Sequence, residues 1–252
     1  MTFRAIPNKN PDAEQAKEEE ITHIVSKENE KVELIRKILP FDYDGKVEEW
    51  LYDLEQSMKD SIQRVVVEGL KDYPTMTIEE AVDHLSQSTS HIYNERIRWL
   101  RSWPSQVILI VSSIIWTQQV EDSLPKHGML SQLHSQTQAQ LDQVVIMVRE
   151  KMPDLLRLTL SSLIVQNVHS RDLIENLVRK RVISLEDFEW ICQMRYYYIP
   201  MDQSVDVKMI TTVLRYCNEF LGNTGRLVIT QLTDRCYRTL MSALQLNLGG
   251  AP

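Results

Sequence analysis

The chain has 252 residues, 43% of them hydrophobic, which is enough to bury a core in one large domain or two small ones. Its formal charge is −7 with acidic and basic residues interleaved, so no basic face follows a phosphate backbone and nucleic acid is not an expected partner. The longest apolar run, Val107–Trp116, is interrupted by Ser112 and Ser113 and falls short of the roughly 18 residues of a membrane span, so no membrane partner is expected. Three cysteines, Cys192, Cys217 and Cys236, with no apolar leader after Met1, fit a reducing compartment and are expected as free thiols.

In chain order, residues 1–20 carry Pro7, Pro11 and the run Lys17-Glu18-Glu19-Glu20 with little to bury, which reads as a disordered tail. Residues 21–45 contain short apolar groups ending at Pro40 and Gly45, and their periodicity does not choose between strand and helix. From Val47 the spacing is helical: Val47, Trp50, Leu51, Leu54, Met58, Ile62, Val65, Val66 and Leu70 recur at three and four, and Tyr73-Pro74 breaks the pattern. Thr77 and Glu80 form a capping box for a second helix reaching Trp103. Pro104 is expected in the first turn of a third, whose nearly all-apolar Val107–Trp116 implies burial on several sides. Pro125 and Gly128 separate a fourth, Met129–Met152, with Leu130, Leu133, Leu141, Val144, Val145 and Val148 inward. Pro153 opens a fifth to about Val168. Asp172–Arg181 make a sixth with Leu173, Leu177 and Val178 inward, and Ser184 and Asp187 cap a short seventh ending near Met194.

Beyond Met194 the texture changes. Arg195–Ile199 is aromatic, Pro200–Ser204 is a turn, and Val205–Tyr216 is rich in β-branched residues without a helical stripe, which predicts a β-hairpin. Gly222 and Gly225 lead into the β-prone Leu227–Thr230, and Thr233 is a plausible N-cap for a last helix with Cys236, Tyr237, Leu240, Met241 and Leu244 on one face. The expected fold is mainly α: an elongated antiparallel helical bundle with a small β-hairpin and a C-terminal strand-turn-helix. Its divisions are a tail (1–20), a helical body (21–194), a hairpin (195–221) and a final segment (222–252).

Motifs for chemistry are mostly missing. No glycine pair is spaced for a phosphate loop ending in Lys and Ser or Thr, and there is no G-x-G-x-x-G, H-E-x-x-H, C-x-x-C or G-x-S-x-G. His169-Ser170-Arg171-Asp172 has the residue types of a proton relay, but reads better as a helix junction with Ser170 or Asp172 as cap. Trp190, Tyr196, Tyr197 and Tyr198 could stack on a ligand, and read better as core plus one exposed face. No catalytic residue and no metal site is expected.

Several long phrases then carry a resemblance. RLVITQLTDRCYRTLMSALQLNLGGAP (226–252) resembles the opening of the first AAA+ module of a dynein heavy chain, where such a run directly precedes the phosphate-binding loop. VEEWLYDLEQSM (47–58), WPSQVILIVSSIIWTQQVE (103–121), VHSRDLIENLV (168–178), FEWICQMRYYY (188–198) and YCNEFLGN (216–223) resemble the end of the dynein linker in the same order. Together they cover roughly residues 20–252. Gln231 departs from the pattern, since the family usually has proline there.

By this resemblance the chain is the C-terminal part of a linker, a lever that docks across the AAA+ ring, ending before the Walker A loop as a piece of a longer heavy chain. Val228, Ile229, Leu232 and Thr233 would form an adenine wall in the intact motor. ATP and magnesium would be that motor's cofactors and none would belong to this chain, which is not expected to be an enzyme by itself. The implied partners are the AAA+ ring of the same heavy chain and, through the intact motor, dynein intermediate and light chains and microtubules. The wording looks more like the axonemal members, so the expected location is cytoskeletal, in a cilium or flagellum. The alternatives are a piece of a complete motor ATPase whose phosphate loop lies further on, and a helical interaction scaffold.

Overall fold

A computed structural model describes residues 2–3, 20–74, 90–223 and 228–250. The fold is mainly α, with two small antiparallel sheets. The expected capping box at Thr77 and Glu80 lies outside the described residues, as does nearly all of the expected disordered tail. Thr2–Phe3 (β1) are described, and they pair with Val25 and Ile24.

The ambiguous stretch after the tail is a β-hairpin, Ile21–Val25 (β2) and Lys31–Ile38 (β3), turning at residues 26–30 with Asn29 in the left-handed region. Helix α1 (Val47–Lys71) explains why these residues become strands. Its fully buried Ser57 and Ser61 reach the free edge of β3: Ser61 Oγ accepts from Ile35 N at 2.9 Å, and Ser57 Oγ accepts from Arg36 N at 3.2 Å and donates to Arg36 O at 2.7 Å. Serines on the helix thus satisfy backbone groups that a third strand would otherwise have to pair.

Helix α2 (Ser90–Ser102) returns to α1, where Trp99 Nε1 donates to Gly69 O at 2.9 Å and meets Tyr73 edge-on at 5.0 Å. Helix α3 (Ser105–Ser123), with Pro104 as its N-cap rather than in its first turn, is the central element. It packs on α1, α4 (Met129–Val148), α5 (Asp154–Arg179) and a strand of the second sheet, and Val107–Val111 are all buried, as an all-round apolar helix requires. One core cluster joins the hairpin, α1, α3 and α5; a second, around Trp190, joins the far ends of α3, α4 and α5.

Helix α5 corrects the expected junction. Residues 154–179 are continuous, so Ser170 and Asp172 sit inside one helix and cap nothing. Short polar residues weaken a helical reading of sequence, yet here Ser170 and Ile174 are buried by packing on α4, and tertiary burial decides. The next helix is a single turn, α6 (Phe188–Ile191), shorter than expected, with Asp187 at its N-cap; the Asp187 carboxylate accepts from Ser184 N at 3.3 Å instead of capping. The expected hairpin is a three-stranded meander, Arg195–Ile199 (β4), Ser204–Met209 (β5) and Thr212–Arg215 (β6). Val178, expected inward, is exposed, and so are Val47 and Leu51 of the apolar recurrence in α1. Among the described residues no helix is long and apolar enough to cross a membrane.

Candidate functional site

The C-terminal segment is where sequence reasoning placed binding residues. Tyr216–Asn223 leave β6 without regular structure, and helix α7 (Gln231–Gln245) then lies against β6. Residues 228–230 belong to no strand, so the expected strand-turn-helix is an extended approach to a helix. Thr230, not Thr233, is the N-cap. Its Oγ1 accepts from Thr233 N at 3.3 Å, and Thr233 Oγ1 accepts from Thr230 N at 2.6 Å and donates to Thr230 O at 2.9 Å. A threonine at the third helical position can replace the Glu or Gln of a capping box because its hydroxyl both donates and accepts.

The four wall residues flank this cap. Val228 and Leu232 are 69% and 71% exposed, while Ile229 and Thr233 are half-buried. Val228, Ile229 and Leu232 present apolar surface beside the cap, and the Thr233 hydroxyl is already engaged in it. Of the expected inward face of α7, Cys236, Tyr237, Leu240 and Met241 are half-buried, whereas Leu244 is exposed together with Leu246 and Leu248.

His169 faces the first turn of α7. Burial holds its imidazole below the ordinary range, with Asp234 and then Asp172 pulling the other way. Asp172 is paired with Arg171 at 2.6 Å, and Arg171 also donates to Gln138 Oε1 at 3.2 Å, so the geometry is a surface ion pair beside a half-buried histidine. The aromatic set is likewise structural. Trp190 is fully buried against Trp116 at 5.6 Å, and Tyr196 Oη donates to Met194 Sδ at 3.1 Å.

Two polar assemblies had no signal in the sequence. Glu121 Oε1 accepts from Tyr197 Oη at 2.6 Å and from Trp190 Nε1 at 3.3 Å, tying α3 to α6 and β4; Arg195 Nη1 donates to Tyr197 Oη at 3.1 Å. Burial, then the bond to Glu121, pushes the Tyr197 phenol well above its ordinary value. Glu30, in the turn of the first hairpin, accepts through Oε1 from Ser105 N at 2.7 Å and from Ser105 Oγ at 2.9 Å, and so caps α3 from 75 residues away in sequence. Cys192 is buried, Cys217 exposed and Cys236 intermediate, all as free thiols. Among the described residues no group of three or more His, Cys, Asp or Glu is arranged to hold a metal.

Two family models match the chain. Residues 216–252 match the hydrolytic ATP binding site of the dynein motor region, and residues 3–69 match the N-terminal region 2 of dynein heavy chains. By these matches the chain is similar to dynein heavy chains, as the counterpart of a short stretch of those proteins. The relatives it matches are axonemal. It is 44% identical over 233 residues to dynein axonemal heavy chain 3 of Homo sapiens and 39% identical to dynein axonemal heavy chain 1 of Homo sapiens, covering in each case 92% of this chain and 5% of the relative. It is 37% identical over 235 residues to dynein axonemal heavy chain 12 of Mus musculus, covering 92% of this chain and 7% of the relative. The chain thus spans only a small fraction of the length of these relatives.

Proposed function

We propose that this chain is the C-terminal part of a dynein linker, a non-catalytic helical lever that docks in the intact motor across the AAA+ ring of the same heavy chain and changes angle with nucleotide state. One observation carries the reading. The stretch similar to the dynein ATP-binding region, residues 216–252, leaves directly from a body whose core runs from the first hairpin through α1, α3 and α5 and takes in Phe220 of that stretch. A lever needs such continuity, because a load applied at the C-terminal end must be borne by packed elements.

On this reading residues 21–194 are the linker body, 195–221 its terminal sheet and strap, and 222–252 the incomplete opening of the first AAA+ module. Val228, Ile229, Leu232 and Thr233 are the chain's contribution to an adenine wall. ATP and magnesium belong to the intact motor, and microtubules and dynein intermediate and light chains are reached only through it, in a cytoskeletal, axonemal setting. A second reading, a piece of the complete motor ATPase, is favoured by the match of residues 216–252. It differs only in placing a phosphate loop beyond Pro252.

The test is a chimaera in which this chain replaces the matching stretch of an axonemal heavy chain. Retained ATP-driven microtubule gliding supports the lever reading. Loss of gliding in a chimaera that folds and still turns over ATP at the parent rate overturns it.

A further inference from the structure

Residues 216–223 have no regular structure, yet they are not loosely held. Fixing the backbone of an eight-residue irregular segment opposes folding by about 1–2 kcal/mol per residue, so such a strap stays put only where specific contacts outweigh that cost. Gln106, 5% exposed in the first turn of α3, supplies three of them. Its Nε2 donates to Tyr216 Oη at 2.6 Å and to Glu219 O at 2.7 Å, while its Oε1 accepts from Leu221 N at 2.8 Å. A primary amide suits this place because it donates and accepts at once, meeting a carbonyl and an N–H only two residues apart. Phe220, between them, is 2% exposed and joins the main core.

The far end of the strap is held independently. Ser162 Oγ on α5 donates to Asn223 Oδ1 at 2.8 Å, and Asn223 is 2% exposed. Gly222 has φ +62° and presses on the hairpin turn so closely that a Cβ would lie 2.4 Å from Ser26 Cβ. Three separate elements, the first hairpin, α3 and α5, therefore converge on eight residues.

We propose that Gln106 is the positioning residue of a side-chain clamp that makes residues 216–223 a rigid strap, so that the opening of the nucleotide-binding segment is anchored to the helical body through side chains and not through secondary structure. The use of this strap as a mechanical coupling rests on the lever reading; its rigidity does not, and is measured on the chain alone.

The experiment is hydrogen exchange on the full chain carrying Gln106→Leu, with a nitroxide on the exposed Cys217 in a Cys236→Ser background as a second reporter. With three hydrogen bonds lost, amides in 216–223 are expected to exchange at least about tenfold faster while α1 and α5 keep their protection, and the nitroxide spectrum shifts toward faster motion. Gln106→Asn keeps the amide and shortens its reach by one methylene, so it should weaken the three bonds without burying a charge, loosen the strap less, and serve where the leucine variant fails to fold. Unchanged exchange and spectrum in a folded variant overturn the clamp. So does acceleration spread evenly over α1, α3 and α5, which would make Gln106 an ordinary core residue.

Discussion

Replacing Tyr197 with phenylalanine keeps the ring between Arg195 and Lys208 and removes only the hydroxyl that donates to Glu121. Glu121 Oε1 is then left with Trp190 Nε1 at 3.3 Å, and Arg195 Nη1 loses its Tyr197 acceptor. A hydrogen bond to a charged group contributes about 1.5–3 kcal/mol, so the expected loss is about 2 kcal/mol, or about 4–8 °C in Tm for a chain of this size. The pH dependence supplies a second check. Because burial raises the Tyr197 phenol, the unfolded chain ionises first, from about pH 10; the hydroxyl's contribution is complete below that and is lost as pH rises toward the folded value. The gap between parent and variant should therefore be constant from pH 7 to 9 and shrink by about 1.4 kcal/mol per unit above pH 10. Denaturant titration measures both, and a double-mutant cycle with Glu121→Ala isolates the pair. A loss below about 0.5 kcal/mol, or a gap that does not narrow in alkali, refutes the assignment of this bond as the tie between α3 and β4.

Two further substitutions probe packing and burial. Gly69→Ala places a Cβ 2.6 Å from Val107 Cγ1 in the close approach of α1 to α3; overpacking of about 1–3 kcal/mol should outweigh the roughly 1 kcal/mol gained in helix propensity, and Val107→Ala should rescue it. A folded Gly69→Ala chain with an unchanged or raised denaturation midpoint contradicts this. Burial raises the Glu30 carboxyl, against the two Ser105 hydrogen bonds and with Glu28 adding to the rise. A raised folded value means that the group favours folding below its unfolded value near 4.3, an advantage lost as pH rises through the folded value. Glu30→Gln, which keeps an acceptor for Ser105, should therefore gain on the parent in stability between pH 4.5 and 7, and a relative decline over that range would show that the ionised cap is favourable.

The sequence was legible wherever burial follows periodicity. The spacing from Val47 and from Met129, and the all-apolar Val107–Val111, match the helices α1, α4 and α3, because one-sided or all-round burial writes itself into residue order. It was illegible where a polar side chain takes its partner from far along the chain. The first hairpin depends on Ser57 and Ser61 of α1, the cap of α3 on Glu30, and the strap on Gln106, at separations of 21 to 115 residues. Ser170 and Asp172 misled for the opposite reason: residues that cap a helix in isolation are tolerated inside one packed on α4. The final helix was found, but its start was placed three residues late, because two threonines at that spacing can each be the cap.

The nucleotide question divides into base and phosphates. On the proposed adenine wall, a base would meet the exposed Val228 and Leu232 with Ile229 beside them. A phosphate would have to use the N-terminus of α7, and two of the donors there are taken: Thr233 N by Thr230 Oγ1 at 3.3 Å and Asp234 N by Thr230 O at 3.0 Å. Asp234 also places a carboxylate in the first turn, where the helix dipole would otherwise favour an anion. No glycine-rich loop with Lys and Thr occurs anywhere in the 252 residues to take over that role. The purified chain is therefore predicted to show no magnesium-dependent ATP turnover, and to bind ATP no better than adenosine, each at about millimolar Kd or weaker. Calorimetry with the two ligands in parallel separates the contributions, since a hidden phosphate site would appear as a preference for ATP. Submicromolar ATP binding, or turnover of about one per second, would mean that residues 216–252 assemble a phosphate cradle that the N-terminus of α7 does not contain.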